Sequence, residues 1–189
     1  MKILILVGHP DNESFNVQMA DSYAEGAREK GHEVRRVNLA DLHFDPILHH
    51  GYKVIQELEP DLVQLQEDIK WSQHFVIFYP SWWSTMPALL KGLFDRMWLP
   101  GFAYKFTHHG ILWSGLLSGR SARVFVSSDS HPILARIIFG DSTNEIKKGI
   151  LWFAGFSVSV KKIGPLKNIS DARKQKWLER VKKWGMKAY

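Results

Sequence analysis

Short apolar runs, each closed by turn formers and followed by a helical period, recur five times along this chain. Lys2–Val7 is rich in Ile, Leu and Val and ends at Gly8-His9-Pro10-Asp11-Asn12, a pattern that predicts a buried strand and a turn. Val17, Ala20, Ala24 and Ala27 then recur at helical spacing, and the helix they predict stops at Lys30-Gly31, with a cation in its last turn and glycine beyond. Val34–Leu39 makes a weaker strand. The same order returns as strand 74–79 with helix 87–98, strand 122–128 with a helix near 142–154, and strand 156–163 with helix 170–187. Apolar runs without strict alternation mark strands covered on both faces, so the pattern predicts a mostly parallel sheet inside a doubly wound three-layer α/β fold. Segments 40–60 and Gly101–Ser121 read as irregular pocket walls, apart from a helix over Val54–Ile69.

Composition bounds this picture. A length of 189 residues with 45% apolar residues suits one core, so residues 1–189 are expected to form a single domain. The absence of cysteine excludes disulfides, a thiolate metal site and a Cys nucleophile. No apolar run approaches the ~20 residues that span a bilayer, and a cytoplasmic protein is expected. Charge is uneven: residues 1–160 carry 15 Lys/Arg against 17 Asp/Glu, whereas residues 161–189 carry 10 against 2. That basic end predicts either a solvated helix face or a contact with an anionic membrane surface or acidic partner. Nucleic acid is disfavoured, since the cations lack interleaved exposed aromatics.

Ligands of doubly wound sheets sit beyond the carboxyl ends of the strands, which directs attention to loops 8–16, 80–87 and 127–134. The first opens a helix, whose free N–H groups and positive dipole end favour an anion, with His9, Ser14 and Asn16 as side-chain donors. Neither G-x-G-x-x-G nor G-x-x-x-x-G-K-[ST] occurs, which disfavours a Rossmann dinucleotide site and a P-loop. The second loop, Pro80-Ser81-Trp82-Trp83-Ser84-Thr85-Met86-Pro87, sets two indoles between stiffening prolines just past a strand end, as a flat heterocycle requires.

Together these segments carry a resemblance. The first strand ends in Gly8-His9-Pro10; Ser14-Phe15-Asn16 follows, then Pro80-x-x-Trp83-x-x-x-Pro87-Ala88-x-Leu90-Lys91-Gly92-x-Phe94-Asp95-Arg96, then Gly101-Phe102-Ala103-Tyr104. In order and over essentially the whole chain, this resembles the NAD(P)H:quinone oxidoreductase family, including the ancillary quinone reductases of potassium-efflux systems and the drug-modulator reductases. The resemblance implies a flavodoxin-like fold with a five-stranded sheet of order 2-1-3-4-5. It also implies a homodimer and a bound flavin, with FMN favoured over FAD. Carried across, His9, Ser14, Phe15 and Asn16 hold the flavin phosphate and ribityl chain, Pro80, Ser81, Trp82 and Trp83 border its ring, and Tyr104 lines the substrate face from the partner subunit. Where many members have Thr-Thr-Gly-Gly, this chain has Ser127-Ser128-Asp129-Ser130-His131-Pro132. The serines suit the same work, whereas a carboxylate at Asp129 opposes negative charge on a reduced flavin. His131 is the one candidate beside this loop for the family's proton-transfer histidine.

The implied activity is two-electron transfer from NAD(P)H through the flavin to a quinone or similar acceptor by a ping-pong mechanism. The alternative is a non-catalytic flavoprotein subunit that reports redox state through the basic C-terminal helix. A one-electron carrier fits less well, because the two-indole loop and Gly101–Ser121 suggest a substrate chamber. Ser128-Asp129-Ser130-His131 lacks the G-x-S-x-G turn of a hydrolase, and the His49-His50 and His108-His109 pairs lack helical partners for a metal.

Overall fold

A computed structural model describes residues 1–107 and 111–188. In chain order its main elements are β1 (Lys2–Val7), α1 (Phe15–Glu29), β2 (Glu33–Asn38), α2 (Pro60–Trp71), β3 (His74–Pro80), α3 (Ala88–Met97), β4 (Tyr104–Thr107), β5 (Leu112–Gly115), β6 (Ser121–Ser127), α4 (Pro132–Phe139), a π-helix (Glu145–Trp152), β7 (Ser157–Ile163) and α5 (Asp171–Lys187). Five parallel strands form one sheet in the order β2-β1-β3-β6-β7. This is the flavodoxin-like order 2-1-3-4-5, with helices on both faces.

The strand sequences explain the layering. Every residue of β3 is buried, as is β1 after Lys2. One face carries Leu4, Leu6, Phe75, Ile77 and Val124 against α2, α3 and the π-helix. On the opposite face, Ile3, Ile5, Val7, Phe78 and Phe125 meet α1 and α5, and the rings of Phe78 and Phe125 stack at 4.4 Å. Helices α1 and α5 lie unusually close: a Cβ on Gly26 would run into the Lys182 carbonyl, and one on Gly185 into that of Tyr23. Trp177, Val181 and Trp184 turn toward this core, as their spacing predicts.

The amino end of the sheet is closed by side-chain hydrogen bonds. Buried His74 lies between the Tyr23 hydroxyl (3.2 Å) and Ser121 Oγ (2.8 Å). Burial, reinforced by Arg123, pushes its pKa down to about 4, so the ring is neutral in the folded protein.

Several boundaries differ from expectation. Helix α2 starts at Pro60 rather than Val54, because proline suits the first helical position and the preceding residue is held extended. Gly101–Ser121 is not irregular throughout: β4 and β5 pair as an antiparallel hairpin, with Trp113 stacked on Phe153 at 4.7 Å. The helix expected near 142–154 is the π-helix. Helix α4 begins inside the loop expected over 127–134, opened by Pro132 and stopped by Gly140 at φ +78°. Among the described residues, no helix is long and apolar enough to cross a membrane.

Candidate functional site

Two cavities adjoin at the carboxyl end of the sheet. A cradle of about 320 Å³ is lined by His9, Ser14, Phe15, Asn16, Pro80, Ser81, Trp82, Ser127, Ser128 and Asp129. All three loops singled out in the sequence therefore meet there. Leu166, Ile169 and Lys174 complete the lining; nothing in the local sequence marked them, since they arrive through the packing of α5 beside α1. The second cavity, a cleft of about 490 Å³, takes Trp83 and Ser84 from one side, and Pro132, Ala135, Arg136 and Phe139 of α4 from the other. Ser81 and Ser128 line both cavities and form the ridge between them.

Hydrogen bonds fix this ridge. The Ser81 amide donates to the Ser127 carbonyl (2.7 Å) and the Ser128 amide to that of Ile163 (2.9 Å). Below it, the side chains of buried Asn16 and Ser127 bond at 3.0 Å, tying the first loop to the third. His9 is pinned by the Asp11 amide, which donates to Nδ1 (3.0 Å), and its ring meets the edge of Trp82 at 5.5 Å.

The cradle is built for negative charge. Ser14 caps α1 by position only: its side chain makes no capping bond, and buried Oγ has no hydrogen-bond partner among the described residues. Helix α1 has no acidic residue in its first turn. Both α1 and α5 begin at the cradle, through Ser14 to Asn16 and through Ile169 to Lys174, so two positive helix ends converge there. Asp129 lines this cradle together with Lys174, and not the cleft that Trp83 lines.

The two-indole loop is a tight turn. Amide–carbonyl bonds join Trp82 and Thr85 in both directions (2.9 and 3.0 Å), and the central Trp83 and Ser84 have φ of +51° and +63°. Such turns favour glycine and asparagine; a tryptophan and a serine held there store strain of the kind that marks functional sites. Trp83 is fully exposed, at 100%. The amides of Trp83 and Ser84 find no acceptor among the described residues and remain available at the cleft rim.

Elsewhere the predicted residues separate. Tyr104 lines a different groove with Lys91, Asp95, Glu145 and Phe153, its ring packed on Phe153 at 5.0 Å. His131 is exposed and lines neither the cradle nor the cleft, because it is the extended residue that leads into α4 ahead of Pro132. Tyr79, by contrast, was read only as the end of strand 74–79 and given no role. Its buried hydroxyl has no partner among the described residues, and burial, with Glu145 and Asp141 nearby, pushes its pKa up. Beside the cleft, the Thr143 hydroxyl and Lys162 hold Asp141 well below the usual carboxylate range. Among the described residues no cluster is arranged to bind a metal. His49 pairs with Asp45 at 2.7 Å, and His108-His109 lies outside the described residues.

Comparison with known proteins follows the same lines. A model of the flavodoxin-like fold matches residues 1–184. The chain is 27% identical over 183 residues to guinea-pig (Cavia porcellus) NAD(P)H dehydrogenase [quinone] 1, covering 83% of this chain and 66% of the relative. It is 24% identical over 211 residues to human ribosyldihydronicotinamide dehydrogenase [quinone], covering 95% and 90%. Among solved structures, the NAD(P)H:quinone oxidoreductase of Methanothermobacter marburgensis superposes with a TM-score of 0.81 at 25% identity over 98% of both chains.

Proposed function

The chain belongs to the flavodoxin-like fold family, and on that premise we propose that it is an FMN-dependent NAD(P)H oxidoreductase with a quinone or similar acceptor. One observation carries this reading: an anion-seeking cradle and an aromatic-rimmed cleft share the Ser81–Ser128 ridge, as a phosphate joined to a flat ring requires. The residues fit the group, since Ser14 Oγ is a buried polar atom in need of a partner and Lys174 supplies a cation. Ser14, Asn16, Lys174 and the first turns of α1 and α5 would hold the phosphate. His9 and Trp82 would flank its approach, and Trp83 would cover the ring. FMN is preferred because one phosphate site is evident; the FMN-dependent NADH-azoreductase of Bacillus anthracis shares the fold, with a TM-score of 0.72 at 20% identity.

When bound, FMN supplies the chemistry of accepting a hydride and delivering two electrons. The chain's own residues position and polarise. The free amides of Trp83 and Ser84 stand at the rim, where fixed donors stabilise developing negative charge better than water does. Arg136 adds positive charge along the cleft, while Lys162 in its lining is paired with Asp141. Asp129, confined to the cradle lining, does not oppose that charge from within the cleft.

A homodimer belongs to this reading. Tyr104 opens onto its own chain's groove and not onto the cleft, so a second copy would have to bring it there. The hairpin that carries it leaves Phe106, Leu112 and Trp113 exposed, which suits a contact between copies. A cytoplasmic address is part of the same proposal.

The deciding experiment is the spectrum of the purified protein and the mass of any flavin released from it. A colourless protein that binds neither added FMN nor FAD ends this reading. Because one cleft would serve donor and acceptor in turn, NAD(P)H with a benzoquinone should give parallel double-reciprocal lines. Intersecting lines would require a ternary complex and remove the shared cleft.

A further inference from the structure

We propose that α4 is a membrane-docking element whose outer face enters the headgroup region of an anionic bilayer beside the mouth of the cleft. The helix has two faces of unequal duty. Pro132, Ala135, Arg136 and Phe139 turn to the cleft. The opposite arc, Ile133, Leu134, Ile137 and Ile138, is where a solvated helix carries polar side chains. Here it is four aliphatic residues, between 54% and 76% exposed. An eight-residue helix extends ~12 Å and is far too short to span a bilayer, but it suits an element lying in the interface with its apolar arc ~5–10 Å deep.

The charge around that arc selects the partner. Arg136 on α4 and Lys147 line one groove together with Ile133 and Ile137, and Lys147 and Lys148 line the next groove with exposed Trp152. The three cations make no ion pair among the described residues, whereas the neighbouring Lys162 is neutralised by Asp141 at 2.9 Å. Aliphatic side chains, an exposed indole and unpaired cations therefore form one continuous surface along the edge strand β7. That combination matches anionic phospholipid: apolar groups enter the acyl boundary, indole sits at headgroup depth, and cations meet lipid phosphates. A second copy fits less well. Helix α4 contains no acidic residue, and Asp141 in the adjoining groove is already paired with Lys162, so a two-fold contact would leave Arg136 and Lys147 unanswered.

Basic α5 offers the rival surface, and it lies across β7. Lys161 of β7 reaches Trp184 of α5 on one face, while Val158 and Val160 turn to the other. Part of the α5 charge is already engaged, with Lys182 on Glu25 and Glu29 and Arg180 over Trp177 and Trp184, while Lys174 turns to the cradle.

The test is cosedimentation of the intact protein with vesicles of phosphatidylcholine and phosphatidylglycerol (1:1), and of phosphatidylcholine alone, at low and high salt. Wild type should bind the anionic vesicles and release at high salt. Leu134→Ser with Ile138→Ser, which touch neither cavity, should weaken binding roughly tenfold or more. Lys147→Gln with Lys148→Gln should weaken it roughly 10- to 30-fold and flatten the salt dependence. Lys176→Gln with Lys183→Gln on α5 should leave binding unchanged. The proposal is overturned if wild type does not bind, if it binds neutral vesicles equally well, or if only the α5 variant loses binding. It is also overturned if Leu134→Ser with Ile138→Ser converts a dimer to a monomer by light scattering, since α4 would then be an interface between copies. Binding is read without turnover, so failure here leaves the oxidoreductase reading in place.

Discussion

The two ends of the central sheet are treated in opposite ways. At the amino end every polar group near His74 is answered: Tyr23 and Ser121 hold the ring, and Arg120 donates to the carbonyls of Ser72 and Lys70. At the carboxyl end a buried serine hydroxyl has no partner among the described residues, two non-glycine residues sit at positive φ, and an indole stands fully in solvent. The same strands serve both ends, so the difference lies in what the loops leave unsatisfied. Stability is concentrated where hydrogen bonds close, and binding capacity where they stay open.

This contrast can be broken by measurement. The largest effect should come from the closed end through pH. Folded His74 stays neutral to about pH 4, whereas in the unfolded chain it takes up a proton near pH 6.5. The unfolded state thus binds the extra proton first, and stability should fall as pH drops from about 6.5 to 4, by on the order of 3 kcal/mol. Denaturant titrations across that range should show the slope, and His74→Asn should flatten it; an unchanged slope in the variant refutes the assignment. Next comes the buried Asn16–Ser127 link at the open end. Asn16→Ala strands the Ser127 hydroxyl and should lower unfolding free energy by ~1–3 kcal/mol, read as a shifted midpoint at constant m-value. The smallest stability change should belong to Trp83→Ala, within about 0.5 kcal/mol of wild type because the indole packs on nothing. Flavin retention should nevertheless fall roughly 2- to 10-fold in that variant, by dialysis against free FMN. A Trp83→Ala protein that unfolds early and holds flavin normally would reverse the contrast. Tyr104→Ala sharpens it from outside both ends: flavin content should be kept, while the specificity constant for quinones drops in a dimer that brings Tyr104 to the cleft.

Much of the open end was legible because strand ends and turn formers are local signals. The Ile/Leu/Val run of β1, the prolines around Trp82 and Trp83, and the serines after β6 placed ten cradle residues together. Residues 127–134 also read as a loop, and 128–131 are one, between the end of β6 at Ser127 and the start of α4 at Pro132. What followed was harder: Pro132–Phe139 is apolar around most of its circumference, and an eight-residue apolar run fits a buried strand as well as a helix. The π-helix was legible as a helix near 142–154 but not as a π-helix, since its wider turn is a local departure that the 3.6-residue period used to find helices does not resolve. Lys174 was counted with a basic surface, and only the packing of α5 on α1 turns it toward the cradle. The β4–β5 hairpin escaped because four-residue strands carry too few alternations to register, and its packing on Phe153 is long-range.

The side-by-side course of α1 and α5 has a practical corollary. Gly26 and Gly185 bring two helices of like direction almost into backbone contact, so their positive ends repel each other where both reach the cradle. A bound anion relieves that repulsion and links the two helices at the same time. Purified protein stripped of cofactor should therefore melt at a higher temperature in phosphate or sulfate than in chloride of equal ionic strength, by binding to the folded state alone. The buffer in which such a sample is stored would then act as a substitute ligand, and its choice would decide whether emptied protein survives long enough to be reloaded.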